Sequence, residues 1–293
     1  MKIFNLNPIT GKTSDKLTVS IGVFDGIHLG HQKILKRLVT FKRCGVITFY
    51  RHPRTGIKLI QTFSERLMSF REIGINKVFA ISKRDNLLAL SAEEFVIKVI
   101  KPLNVGRIIV GTDFMLGHNR DTDVNGFERI CTSHNISVEK IDIVLEEHKK
   151  KLSSTEIRGK ISRGEIKEAN SMLGRPFYIQ GFVVRGSGLG GKIGFSTANI
   201  NPHPLKQVVP ANGVYRTRAT MGHKIYNSMT YVGTNPTLKD GKYYSIETHI
   251  PGFADDLHGK IIKVEFLART RGEIKFNSVA ELVEAIKKDI KTV

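Results

Sequence analysis

Ile21-Gly-Val-Phe-Asp-Gly-Ile-His-Leu-Gly-His-Gln32 is the stretch that decides the fold. A strand-like run, Thr18 to Phe24, leads into it and breaks at Asp25-Gly26. The apolar residues Ile34, Leu35, Leu38, Val39 and Phe41 then follow at helical spacing. A helix N-terminus presents free N–H groups and partial positive charge, a ready site for phosphate. His28 and His31 stand three apart at that entrance, so both rings can face the same way. Two imidazoles there can donate hydrogen bonds to nucleotide phosphates as charge builds up in a transition state. The bland alternative is two surface histidines in a loop. Zinc fits less well, because no Cys or acidic cluster stands at ligand spacing nearby.

Outward from this motif the first half alternates strand and helix. Val46–Tyr50, Lys77–Ile81, Arg107–Gly111 and Val138–Val144 read as short strands, with helices near Ser64–Ile73 and Ala92–Lys101. Ser91-x-x-Glu94 is a capping box for the second helix, which is expected to end before Pro102. This rhythm predicts a parallel sheet covered on both faces. Ligands in such sheets gather at the carboxyl ends of the strands, where His28 and His31 fall.

After about Gly174 the rhythm changes. Phe177–Val184, Gly213–Met221, Lys224–Val232, Tyr244–Ile250 and Ile261–Leu267 read as strands separated by turn residues, which predicts a barrel or sandwich. Ile262, Val264 and Phe266 alternate with Lys263 and Glu265, as in a half-buried antiparallel strand. A last helix is capped by Ser278-x-x-Glu281, and Val279, Leu282, Val283, Ile286 and Ile290 form a stripe expected to pack on the barrel. The helical stretch Thr155–Leu173 joins the halves. The expected division is residues 1–160 as one domain, 161–176 as a linker and 177–293 as a second domain.

Composition narrows the class. The 293 residues suffice for two ordinary domains, and 40% hydrophobic with 25% charged residues describes a soluble globular protein. No apolar run approaches membrane-spanning length, and Met1–Gly11 lacks the apolar region of a signal peptide. Cys44 and Cys131 form no motif, so a reduced, cytoplasmic setting is expected. The formal net charge of +19 fits anionic ligands such as nucleotides, and equally fits nonspecific attraction to nucleic acid.

Gly186-Ser-Gly-Leu-Gly-Gly191 matches GxGxxG, and with Lys192 it nearly matches a P-loop, except that Ile193 replaces the Ser/Thr that would bind magnesium. Both motifs need a helix next. Here Ile193-Gly-Phe-Ser-Thr-Ala-Asn-Ile200 follows, with prolines at 202 and 204, so both readings are rejected. The loop can still bring backbone N–H groups close to phosphate by another geometry; otherwise it is a flexible turn between barrel strands.

Taken together, these segments resemble the bacterial bifunctional riboflavin kinase/FAD synthetase family along nearly the whole chain. The first module shows Gly22-Val-Phe-Asp-Gly-Ile-His-Leu-Gly-His31, Thr48-Phe-Tyr-Arg-His-Pro53, Val110-Gly-Thr-Asp-Phe114 and Ser153-Ser-Thr-Glu-Ile-Arg158. The second shows Leu173-Gly-Arg-Pro176, Gly194-Phe-Ser-Thr-Ala-Asn199, Gly213-Val-Tyr215, Val232-Gly-Thr-Asn-Pro-Thr237 and Ile246-Glu-Thr-His249. The resemblance implies a Rossmann-like nucleotidylyltransferase domain followed by a six-stranded antiparallel β-barrel with a terminal helix. It implies two reactions, riboflavin plus ATP to FMN and FMN plus ATP to FAD and pyrophosphate, with magnesium as cofactor.

The same resemblance assigns roles. His28 and His31 fall on the ATP phosphates with Gly22, Phe24 and Asp25 of their motif, and Ser154, Thr155 and Arg158 close over them. His52 and Asp113 match positions lining the flavin or nucleotide site, though His52 before Pro53 is also a turn former. In the kinase module Gly188 and Lys192 match the ATP loop, Thr197 and Asn199 the magnesium ligands, Glu247 the base and Arg271 a position near the flavin. Plain readings of Glu247 and Arg271 are solvent-facing charges. Ser196 stands in place of the family's proline, Lys192 in place of Arg, Asn235 in place of Arg, Pro251-Gly252 in place of Leu-Asp and His258 in place of Tyr. Arg and Lys are not interchangeable at a bidentate phosphate site. In the first module Tyr50-Arg51 and Met115-Leu116 depart from the pattern.

Two rivals follow from these departures and from the charge. One is an FAD synthetase whose barrel is only a flavin-binding or structural appendage. The other is a flavin-responsive RNA-binding regulator, which the sequence disfavours: it has no Trp, and its seven Tyr form no array interleaved with basic residues.

Overall fold

All five residues of the strand Leu17–Ile21 are buried, so it has no solvent face and belongs inside a sheet covered on both sides. The computed structural model describes residues 1–5, 16–82, 87–145, 150–186, 188–201, 207–235, 243–253 and 255–291, and divides into two units, Met1–Ser154 and Thr155–Val293. The first unit is built on six parallel strands: β1 (Lys2–Asn5), β2 (Leu17–Ile21), β3 (Cys44–Phe49), β4 (Lys77–Ile81), β5 (Val105–Gly111) and β6 (Ser137–Ile141). Their spatial order is β1-β4-β3-β2-β5-β6. From β2 the chain steps one way to β3 and β4, and later the other way to β5 and β6. The order therefore reverses between β2 and β5, and loops leaving those two strands diverge to open a crevice at their carboxyl ends.

Helices α1 (Leu29–Leu38), α2 (Phe63–Ile73), α3 (Ala92–Phe95) and α4 (Val124–Ser133) cover the sheet. Alternate strand residues serve opposite faces, as the pleat requires. Ile47, Ile108 and Val110 pack with Phe95 and Phe127, whereas Val46 and Ile109 pack with Leu35, Leu38 and Phe70. The capping box at Ser91 and Glu94 forms as expected, but α3 gives way to a π-helical stretch, Val96–Ile100, and a 3-10 turn containing Pro102. The strand expected to reach Phe24 stops at Ile21, because Phe24 takes a left-handed φ of 52°. The strand expected to reach Val144 stops at Ile141, and Val144–Leu145 pairs instead with Lys150–Lys151.

The second unit carries a closed barrel of β7 (Phe177–Val184), β8 (Thr197–Ile200), β9 (Gly213–Met221), β10 (Lys224–Asn235), β11 (Tyr243–His249) and β12 (Ile261–Arg271). The antiparallel order around it is β7-β8-β11-β10-β9-β12. Strand β8 lies in the glycine- and β-rich stretch Ile193–Ile200, which the sequence pattern assigns to no strand; its short Ala198/Ile200 alternation of buried residues is too brief to stand out. One end of the interior holds Phe177, Tyr215 and Phe266, and elsewhere Thr217, Ser228, Thr230 and Thr248 join hydroxyls in a buried ladder. The joining stretch is two helices, α5 (Ser154–Arg163) and α6 (Ile166–Leu173), broken at Gly164, which has φ 79°. Asn170 ties α6 to the barrel by donating to the Phe266 carbonyl and accepting from the Phe177 N–H. The terminal helix α7 (Val279–Ile290) is capped by Ser278, yet Val279 is 59% exposed and the rest of its stripe only half-buried. The residue α7 buries is Asp289.

Candidate active sites

In the first unit the turn between β2 and α1 stands at the carboxyl end of the sheet, where the strand order reverses. Phe24 and Ile27 both hold positive φ, 52° and 41°, an uncommon state for bulky residues that surrounding structure must enforce. Asp25, 2% exposed, does part of this: its Oδ1 accepts from the N–H groups of Ile60 and Gln61. Gly26 lies at φ 80° against the Ile60 side chain, where a Cβ would collide. Phe24 sets its ring edge-on to both His31 and Phe70. Gly22 continues the pairing of β2 by donating to the Ile47 carbonyl.

His28 is the N-cap of α1, and its Nδ1 accepts from the His31 N–H at 3.4 Å. In the neutral ring the proton therefore sits on Nε2. The two rings stack with centroids 3.7 Å apart. Burial lowers the His28 pKa to about 4. It lowers His31 well below the usual range too, and the charges of His28 and Arg66 add to the effect. Both rings are thus neutral near pH 7, and they offer N–H donors instead of positive charge. His31 Nδ1 is buried without a hydrogen-bond partner.

The other candidates of this unit stand at the carboxyl ends of neighbouring strands. His52 follows β3, and its Nδ1 accepts from the Arg54 N–H at 3.1 Å, so it does shape a turn. Asp113 follows β5 in a turn closed by the bond from Phe114 N–H to the Gly111 carbonyl. Ser154 donates through Oγ to the Asp25 carbonyl at 2.9 Å, which joins the end of this unit to the His motif. In the second unit Arg158 donates to Thr155 Oγ1 one turn along α5. Sequence reasoning missed Arg66, which is fully buried and donates to the carbonyls of Val23, Phe49 and Tyr50. Its one signal is a charge on the apolar face Phe63-x-x-Arg66-Leu67-x-x-Phe70.

In the second unit strand register assembles the site. Asn199 of β8 lies opposite Glu247 of β11, which lies opposite Tyr231 of β10, so the three share the outer face of the barrel. Thr197 Oγ1 donates to Glu247 Oε2 at 3.4 Å, and Ser245 Oγ donates to Oε1 at 2.8 Å. The glycine loop, in whose described residues the one helix is the single turn Leu189–Lys192, folds back over β8, with Gly186 against Asn199 and Gly190 against Thr197. Gly186 lies so close to the Asn199 amide that a side chain there would displace it. Gly188 has φ 75° with open space around it. The side chains of Lys192 and Asn235, like residues 236 and 237 of the Val-Gly-Thr-Asn-Pro-Thr motif, lie outside the described residues.

Thr197 and Ser196 border a cavity of about 310 Å³, with Arg185, Asp255, Asp256 and His258 among its polar lining. Ser196, in the place of the family's proline, has its carbonyl held by His249 Nδ1 at 2.8 Å. Pro251-Gly252 forms a turn with Gly252 at φ 72°. Arg271 is neither a free surface charge nor open to a ligand on all sides: it forks onto Asp289 of α7, with Nη2 2.9 Å from Oδ2. Glu273 accepts from the Tyr231 hydroxyl at 2.6 Å and from Asn212, and these bonds hold its carboxyl below the usual range. Burial and Glu273 together push the Tyr231 phenol up. Among the described residues no group of three or more His, Cys, Asp or Glu is placed to hold a metal ion. Thr197, Asn199 and Glu247 nonetheless gather hard oxygen donors, the type that suits magnesium when phosphates complete its shell.

The sequence model described as FAD synthetase matches residues 11–156, and the one described as riboflavin kinase matches residues 173–293. A bifunctional riboflavin kinase/FMN adenylyltransferase of Bacillus subtilis (strain 168) is 33% identical over 295 residues, covering 94% of this chain and 90% of the relative. The chain belongs to the bifunctional riboflavin kinase/FMN adenylyltransferase family. Its FAD synthetase module is the parallel-sheet unit and its riboflavin kinase module the barrel. A Listeria monocytogenes protein named FAD synthetase is 30% identical over 250 residues, covering 82% of this chain and 96% of its own. A crystal structure described as a macrolide-efflux protein from Streptococcus pneumoniae shares the fold with a TM-score of 0.85 and 29% identity, covering 99% of this chain and 97% of that one. Among the described residues of this family member no helix is long and apolar enough to cross a membrane.

Proposed function

We propose that the chain makes FAD in two steps, the barrel phosphorylating riboflavin and the parallel-sheet unit adenylylating the FMN produced. The observation that carries this reading is the stacked His28–His31 pair at the N-terminus of α1, His28 buried and His31 half-buried, set where the strand order reverses. In adenylyl transfer a phosphate oxygen of FMN attacks the α-phosphorus of ATP, and the bond to pyrophosphate breaks. No covalent nucleophile of the protein is needed. The neutral imidazoles donate N–H hydrogen bonds to the phosphate oxygens, and the free N–H groups of α1 add theirs. Gly22, Phe24 and Asp25 shape the turn that presents them. Ser154, bonded to the Asp25 carbonyl, adds its hydroxyl to the phosphate contacts, and the family resemblance gives Thr155 and Arg158 the same role, with Arg158 suited to bidentate binding. His52 and Asp113 line the flavin side.

In the kinase step Glu247 accepts the proton of the riboflavin hydroxyl as its oxygen attacks the γ-phosphorus and ADP leaves. Thr197 and Asn199 would hold magnesium, which would supply charge neutralisation for the phosphates. Gly188 and Lys192 lie along the ATP phosphates, and the cavity beside Thr197 takes the nucleotide. The bond from His249 to Ser196 fixes the loop that proline would otherwise stiffen, which favours a working kinase. Arg271 contributes near the flavin through its tie to α7.

A second reading, FAD synthesis alone, is favoured by the Pro251-Gly252 turn that stands in place of Leu-Asp. Chromatography of products from ATP and magnesium, with riboflavin in one tube and FMN in another, separates the two. FAD from both tubes is expected. FAD from the FMN tube alone would establish the second reading, and no FAD in either would overturn both.

A further inference from the structure

We infer that Arg66 is a positioning residue of the adenylyl-transfer site: it sets the relative place of the His28/His31 turn and the His52 loop from beneath. The inference rests on the adenylyl-transfer reading above. Arg66 projects from α2 and is 0% exposed, so it cannot be a surface cation that happens to face inward. Burying a guanidinium is costly unless its donors are used. Here Nη1 and Nη2 are used on one target, the carboxyl ends of two adjacent parallel strands, while Nε is buried without a partner. Nη1 donates to the Val23 carbonyl at 2.5 Å and to Thr48 Oγ1 at 3.1 Å. Nη2 donates to the carbonyls of Phe49 and Tyr50 at 2.7 and 3.3 Å. Thr48 Oγ1 in turn donates to the Val23 carbonyl at 3.2 Å, so the guanidinium and the hydroxyl clasp the same oxygen.

These carbonyls are not arbitrary. Val23 immediately precedes Phe24, whose left-handed φ opens the turn to His28. Phe49 and Tyr50 begin the loop that carries His52. One planar, forked side chain thus fixes two loops against each other, a task that a lysine point charge performs less well. Asp25, in the same turn, is the acidic group that favours the Arg66 charge. The charge of Arg66 also reaches His31 and helps keep that ring neutral. A core residue serving stability alone would fasten these segments without any bearing on where phosphate donors sit or how His31 titrates.

The test compares the full chain with Arg66→Gln and Arg66→Lys. FAD formation from FMN is measured for kcat and KM, riboflavin phosphorylation serves as the reading of the other module, and His31 is followed by NMR titration. Arg66→Gln is expected to lower adenylyl-transfer kcat about 10- to 100-fold, the scale of a misplaced reacting group, while kinase activity holds. His31 is expected to titrate at higher pH in this variant. Arg66→Lys, which keeps the charge but not the fork, is expected to lose about tenfold in kcat with the His31 titration little changed. If Arg66→Gln fails to fold, Arg66→Lys decides alone. Folded variants with wild-type kcat and KM would overturn the role of Arg66 while leaving adenylyl transfer intact. Wild-type protein that makes no FAD from FMN would overturn the reading on which the role rests.

Discussion

The rings of His28 and His31 lie stacked at 3.7 Å, inclined by 20°, and the first accepts the backbone N–H of the second. Each is a helix-terminal residue with a local structural task, yet burial keeps both uncharged. In the proposed adenylyl transfer they would serve phosphate as hydrogen-bond donors, and the positive charge acting on His31 is that of Arg66.

This has a pH consequence. With the His28 pKa at about 4 in the folded chain and 6.5 when unfolded, the unfolded chain binds the extra proton more tightly between those values. Stability of the first unit is therefore complete above about pH 6.5 and is lost as pH falls toward 4, by about 3 kcal/mol from His28 alone. Urea midpoints measured from pH 7 to pH 4 should show this decline, and His28→Gln should lessen it, with the part due to His31 remaining.

Loss of the donor should be felt in the chemistry. His28→Ala is expected to reduce FAD formation from FMN by about 100-fold or more. Riboflavin phosphorylation by the same preparation should stay near wild type. Unchanged FAD output would remove His28 from the mechanism.

Glu247→Gln keeps the shape of the β11 residue that accepts from Thr197 and Ser245 but removes the proposed base. Riboflavin phosphorylation should fall by about 100-fold, the usual contribution of a general base, with adenylyl transfer preserved. Equal loss of both activities would point instead to misfolding.

Asp289 is 5% exposed and forks with Arg271, so removing one partner leaves a poorly solvated charge. Asp289→Ala should destabilise the barrel unit by about 3 kcal/mol, read as a lower midpoint in denaturant. The double change Arg271→Met with Asp289→Leu should recover much of the loss, because two well-packed apolar groups replace the pair.

Much of this molecule is legible one-dimensionally, and the misses share a cause. Phe177–Val184 and Gly213–Met221 are found to the residue because alternation and turn residues are local signals. The Ser91/Glu94 box is likewise local. Strand β8 escapes notice because its four residues are strand only through pairing with β7 and β11. The α7 stripe has helical spacing, but spacing cannot say how much of it other residues cover. Arg66 reads as one more basic residue among 46 until its carbonyl partners are known.

The sequence by itself determined the two-part architecture, the phosphate-ready turn at Asp25–His31 and the identity of the family, because periodicity, capping and motif order are properties of neighbouring residues. Tertiary structure decided which groups carry charge and which are spoken for. Burial made His28 and His31 neutral, strand register brought Thr197, Asn199 and Glu247 together, and packing gave Arg271 to Asp289 and Arg66 to the loops of the site. Desolvation and long-range pairing depend on residues far apart in the chain, and only the folded molecule sets those distances.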